Sequence, residues 1–179
     1  HMTTTQVSLH IVWAFVVAAV VGTCSGMIIR RIGIKAGLVT AGTLMFVGWT
    51  GAAFCINAGF VVLTLWACVF YAGCGMMYSP IVSTVLGTIE KDESGRGVGM
   101  NDLAMNVSPS IGIAIIGSLL GSNALGGGSI TGATGTAANY SNLMLIAGAT
   151  ALLGLIVFFC FRKKIYEGNH AVETEKAAK

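Results

Sequence analysis

The stretch AGLVTAGTLMFVGWTGAAFCINAGFVVLTLWACVFYAGCGMMYSPIVSTVLGTI, Ala36 to Ile89, runs for 54 residues without a Lys, Arg, Asp or Glu. At a rise of ~1.5 Å per residue, about 20 helical residues cross a hydrocarbon core of ~30 Å, so this stretch is too long for one crossing and sufficient for two. The Asn57-Ala58-Gly59 cluster near its middle supplies the turn. Two crossings are therefore predicted, span B from Ala36 to Ile56 and span C from Phe60 to about Thr88.

Upstream, Val7 to Ile29 is a further 23 uncharged residues, span A. Downstream, the charged loop Glu90 to Arg96 leads into span D, about Val98 to Leu120, broken only by Asp102. A loop of Gly, Ser, Thr, Ala and Asn, Ser122 to Asn139, precedes span E, Tyr140 to Phe161. Residues 162–179 read as a polar, irregular tail after a transmembrane region of residues 1–161. The predicted fold class is all-α, a polytopic membrane protein of five transmembrane helices. His1-Met2 has the look of a cloning remnant, which would place the start of the natural segment near Thr3.

Composition agrees with this plan. Of 179 residues 9% are charged and 55% apolar, and the mean hydropathy is +0.82, values that leave too little polar surface for a water-soluble domain. The net charge of +3 reports orientation rather than a nucleic-acid partner, because the basic residues sort by side. Arg30, Arg31 and Lys35 follow span A, Lys91 and Arg96 follow C, and Arg162, Lys163, Lys164, Lys176 and Lys179 follow E. The loops after B and D carry none. Cytoplasmic loops are rich in Lys and Arg, which predicts an external N-terminus and a cytoplasmic C-terminus. Span A is not a secretory signal, since its charges follow rather than precede it.

The five cysteines, Cys24, Cys55, Cys68, Cys74 and Cys160, lie in apolar stretches without metal-ligand spacing and read as packing residues. No metal or cofactor is expected. Enzymatic chemistry is disfavoured, because the spans hold no HExxH, Ser/His/Asp or paired-carboxylate pattern. The Gly95, Gly97, Gly99 run follows no strand and is not a dinucleotide fingerprint. Gly22-xxx-Gly26 in A and Gly117-xxx-Gly121 in D have the spacing of close helix contacts in lipid. Pro80 in C and Pro109 in D each remove a backbone hydrogen bond and predict bends or local openings.

The A/B loop reads Gly26-Met27-Ile28-Ile29-Arg30-Arg31-Ile32-Gly33-Ile34-Lys35. It resembles the cytoplasmic loop of the major facilitator superfamily, G-x-x-x-D-R-x-G-R-[KR], with Gly26, Arg31, Gly33 and Lys35 in place. Arg30 stands where that family has Asp, and Ile34 where it has Arg. Further motifs occur in family order: Gly73-Cys74-Gly75-Met76-Met77-Tyr78-Ser79-Pro80, Gly95 through Asn101, Gly112 through Gly117, and Tyr140-Ser141-Asn142-Leu143. Together they resemble the C-terminal part of a drug:proton antiporter of the 14-helix type, similar to tetracycline-efflux and multidrug members of Gram-positive bacteria. Nearly the whole chain is covered and would correspond to the last five helices.

The resemblance implies part of the C-terminal half of a facilitator fold in a bacterial plasma membrane. Its partners would be the lipid bilayer, the missing N-terminal half, a hydrophobic small-molecule substrate and protons. The activity implied is proton-coupled efflux by the complete protein, for which this chain alone would not suffice. A small five-helix membrane interaction or assembly protein is the alternative. In the family, helices A, C and D face the central cavity and B and E lie outside it. That makes His10, Trp13, Tyr71, Tyr78, Met105 and Asn106 candidates for lining the cavity, while each also suits an interfacial belt or packing. Asp102, about a turn inside the cytoplasmic end of D, is the proton-coupling candidate, the acid being of the kind such exchangers place in a span. Its other reading is an acid favoured by the helix N-terminus. Tetracycline-type members carry an acid further along this helix, where Pro109 stands here. Asn139-Tyr140-Ser141 is formally a glycosylation sequon, without meaning in a bacterial protein.

Overall fold

A computed structural model describes residues 4–87, 89, 91–122 and 124–178, with the side chains of 4–7, 9, 91 and 163–178 outside the description. His1 and Met2 lie outside the described residues. The chain forms α1 (Thr4–Ile32), α2 (Ile34–Phe54), α3 (Phe60–Gly87), a 3-10 turn (Lys91–Glu93), α4 (Ser94–Gly121) and α5 (Thr136–Ala178). Among the described residues, five helices are long and apolar enough to cross a membrane, one for each predicted span.

The breaks fall where glycine permits them. Gly33 alone separates α1 from α2, with φ 84° and ψ 157°, a region open in practice only to glycine. Its N–H donates to the Ile29 carbonyl at 2.7 Å, closing α1, and its own carbonyl accepts from the Gly37 N–H at 3.0 Å, opening α2. At the other end of α2, Gly59 takes φ 98° as the chain turns into α3.

α3 is the central helix, packed along both α1 and α2, while α2 also packs on α5. Without a hydrophobic drive between helices in lipid, such contacts depend on backbones approaching closely. Gly73 and Gly75, two residues and roughly half a turn apart, serve opposite neighbours. A Cβ on Gly73 would lie 2.8 Å from the Ala41 carbonyl of α2, and one on Gly75 would lie 2.5 Å from the Ala18 carbonyl of α1. Gly22 meets Gly75 from the α1 side, whereas Gly26, Gly117 and Gly121 have no neighbour within 4 Å. Of the two expected glycine pairs, one member of one pair therefore makes a helix contact. Pro80 and Pro109 lie inside helices that continue past them. The Ser110 hydroxyl donates to the Asn106 carbonyl at 3.0 Å, beside the bond that Pro109 removes.

The tail departs from expectation. The irregular segment predicted for residues 162–179 is helical as far as Ala178, a continuation of α5. The span has already met the cost of nucleation, and Ala, Glu and Lys beyond Arg162 propagate a helix readily. α5 also begins earlier than span E, at Thr136, which puts Asn139 in a helix and buries it to 4% exposure. A buried helical Asn is no glycosylation acceptor.

Candidate functional site

A hollow lies between α1, α2 and α3 at the ends that approach the α2–α3 turn. It is a cleft of ≈ 370 Å³, lined on α1 by His10 and Ala14, on α2 by Gly48 and Trp49, on α3 by Phe60, Trp66, Phe70 and Tyr71, and on α5 by Met144. Its rings hold one another. His10 stands edge-on to Phe60 with centroids 4.9 Å apart, and Phe70 bridges Trp49 at 4.8 Å and Tyr71 at 5.3 Å. Two glycines of α2 let α3 approach its backbone, one against the α3 main chain and one against a ring. A Cβ on Gly48 would meet the Phe70 backbone nitrogen and Cβ at 2.7 Å, and one on Gly51 would clash with the Trp66 ring.

His10 and Tyr71, two of the predicted cavity residues, thus come together in one cleft. The others do not join them. Trp13 is 64% and Tyr78 56% exposed on the outer surfaces of α1 and α3. Met105 and Asn106 lie on α4, which meets α3 and α5 only briefly and buries none of its residues. The expected grouping of A, C and D around one cavity, with B and E outside, is not the grouping seen at this cleft. α2 and α5 contribute walls because α3 sits between α1 and α2, and α4 stands away.

α4 carries a polar ladder instead. Asp102, Asn106 and Ser110 follow at four-residue spacing on one side of the helix. The Asn106 side chain donates to the Asp102 carbonyl at 2.7 Å, and Asn101 Nδ2 approaches Met105 Sδ at 3.6 Å. Because α4 begins at Ser94, Asp102 lies in its third turn rather than about one turn from its start. The N-terminal dipole acts within the first turn, so it does not account for the acid there. In the cytoplasmic loop motif, Gly26, Arg31, Gly33 and Lys35 are all exposed, and of these only Gly33 has a backbone requirement.

One polar cluster was not foreseen. Ser141, fully buried on α5, donates to the Ala53 carbonyl of α2 at 3.0 Å and meets Thr131 and Ser129 hydroxyls at 2.7 and 3.1 Å. Next to it, Asn142 donates to the Leu125 and Gly128 carbonyls at 2.9 and 2.8 Å. The Tyr140-Ser141-Asn142-Leu143 motif thereby ties the α4–α5 loop to α5 and α2. Trp49, Trp66 and Phe70 were also unforeseen. Gly48 and Gly51 at i, i+3 opposite Trp66 and Phe70 at i, i+4 was the available signal.

Five long apolar helices packed through glycine contacts define a polytopic membrane protein. The chain belongs to the Major Facilitator Superfamily, a family of membrane transporters, whose profile it matches over residues 1–179. No curated protein and no solved structure matches it.

Proposed function

We propose that this chain forms the last five helices of a proton-coupled antiporter of the 14-helix drug-efflux type, exporting hydrophobic compounds across a bacterial plasma membrane. Its N-terminus is external and its C-terminus cytoplasmic. The observation that carries the reading is α4, a full crossing helix with no buried residue and a polar ladder of Asp102, Asn106 and Ser110. Polar and ionisable groups at membrane depth are costly against lipid and belong beside water or other protein. An antiporter supplies both, through a second bundle across a wetted path.

Helix order supports the same reading. In transporters built from inverted triplets, α3, α4 and α5 would make one triplet and α1 and α2 two members of the other, whose first helix would precede α1, and the two halves would rock around a midplane site. Asp102 then exchanges protons with the path, and the apolar and aromatic walls accept hydrophobic compounds. A five-helix interaction protein is the alternative, in which a separate chain covers α4.

Transport by the complete protein in everted membrane vesicles tests the proposal. Asp102→Asn is expected to lower efflux driven by a pH gradient by at least about tenfold. Unchanged proton-linked efflux would remove Asp102 from the mechanism. A partner that co-purifies on α4, with no transport by any longer product, would favour the alternative.

A further inference from the structure

α5 runs antiparallel along α2, and three contacts give the register. The Ser141 hydroxyl donates to the Ala53 carbonyl at 3.0 Å, a Cβ on Gly148 would lie 3.0 Å from the Thr50 hydroxyl, and one on Gly42 would lie 2.5 Å from the Leu155 side chain. Lys35 and Arg162 stand seven residues, about two turns, beyond Gly42 and Leu155, on the same faces of their helices. The register therefore brings two cations to matching positions on neighbouring helices.

Both stand where an apolar span ends, since the crossings run Ile34–Phe54 and Thr136–Arg162. Charged side chains at such ends lie at headgroup level. Both residues are exposed, and the Arg162 guanidinium sits 5.7 Å from the centroid of the Phe159 ring, which covers one face of the cation and leaves its N–H edge for an anion. Asp92 and Glu93 lie at the same end but beyond α3, and Glu93 is paired with Arg96 at 3.9 Å.

Directly inside the two cations is an apolar hollow of ≈ 160 Å³ between α2, α3 and α5. Leu38, one turn in from Lys35, and Phe158, one turn in from Arg162, line it, with Gly42 and Gly154 further in and Met77 of α3 as another wall. Gly154 is exposed and a Cβ there would meet nothing within 4 Å, so the hollow is open along α5. A ligand that satisfies both parts carries a negative charge at the span border and an apolar tail running from it into the span. An anionic phospholipid is built that way, and basic pockets between crossing helices hold such headgroups.

We infer that the α2–α5 groove is a binding site for one anionic phospholipid, its phosphate between Lys35 and Arg162 and an acyl chain along Leu38, Gly42, Gly154 and Phe158. The site does not involve α4, so a failed lipid assay and a failed antiport assay are distinguishable.

The test is native mass spectrometry of the purified chain, released from micelles containing dioleoyl phosphatidylglycerol or dioleoyl phosphatidylcholine. The parent should retain one phosphatidylglycerol, with an affinity at least about tenfold above that for phosphatidylcholine. Lys35→Gln/Arg162→Gln should abolish the preference, while Arg96→Gln, which removes a charge at the start of α4, should keep it. Gly154→Leu adds a side chain in the open part of the groove and should weaken phosphatidylglycerol retention at least about fivefold with both cations intact. That variant keeps the proposal testable if the double variant misfolds. Equal affinity for the two lipids in the parent would overturn the proposal, as would the same loss in Arg96→Gln as in the double variant. So would full retention by a helical, monodisperse Gly154→Leu variant. Displacement of the lipid by inorganic phosphate would assign the two cations to a free anion and overturn it too.

Discussion

Replacing Gly75 by alanine adds one methyl group where α1 and α3 touch through their backbones. The new Cβ would lie 2.5 Å from the Ala18 carbonyl oxygen and 3.1 Å from the Gly22 nitrogen, against the 3.4 Å at which ordinary contact begins. The deficit, 3.4 less 2.5, is about 0.9 Å. Neither neighbour is a side chain that can swing aside, so the helices must separate by most of that distance. A gap of ~0.5–1 Å forfeits a quarter to a half of each dispersion contact along the seam. With no hydrophobic drive in lipid to compensate, the expected cost is about 1–3 kcal/mol. Gly26→Ala is the control, because Gly26 lies on α1, the helix that Gly75 meets, with no neighbour within 4 Å. It should be neutral, or stabilising by up to ~1 kcal/mol through reduced freedom of the unfolded chain. Both are measured by SDS-induced unfolding in mixed micelles, followed by tryptophan fluorescence and circular dichroism. Gly75→Ala unfolding at the parent's SDS fraction, or Gly26→Ala costing as much as Gly75→Ala, would refute the reasoning.

Gly33→Ala forces a Cβ into backbone with φ 84° and ψ 157°, and should cost about 1–3 kcal/mol in the same unfolding assay although nothing crowds the site. Ser141→Ala leaves the buried Ala53 carbonyl without its donor, a loss of about 1–3 kcal/mol. Asn142→Ala releases Leu125 and Gly128, so amide exchange across residues 124–135 should quicken while that of α3 stays unchanged. Orientation is checked in whole cells: in a background without the five native cysteines, Ala124→Cys should react with an impermeant maleimide from outside. Labelling only after permeabilisation would reverse the topology.

The crossings were readable in the sequence because both of their determinants are local. Apolar length sets a span, and residues such as Gly33 and Gly59 set a break. What lies between helices was less readable, because in an apolar chain nearly every face looks alike. Gly73 and Gly75 could be recognised as motif residues, but not that one serves α2 and the other α1. His10 and Tyr71 could be placed on inward helices, while Trp49, Trp66 and Phe70 depend on which α2 face meets α3. The tail was misread for a different reason: its polarity suggested disorder, and the helix entering it from the membrane supplied the order that composition alone would not.

The central claim is antiport, and coupling tests it most directly. Everted vesicles containing the complete protein are energised to an acid interior, with a fluorescent amine reporting the gradient. An uncharged or cationic aromatic compound is then added from the cytoplasmic face. Antiport predicts a prompt, saturable loss of part of the pH gradient, absent from vesicles lacking the protein and reduced in Asp102→Asn. Accumulation of the compound with no change in the gradient would contradict it.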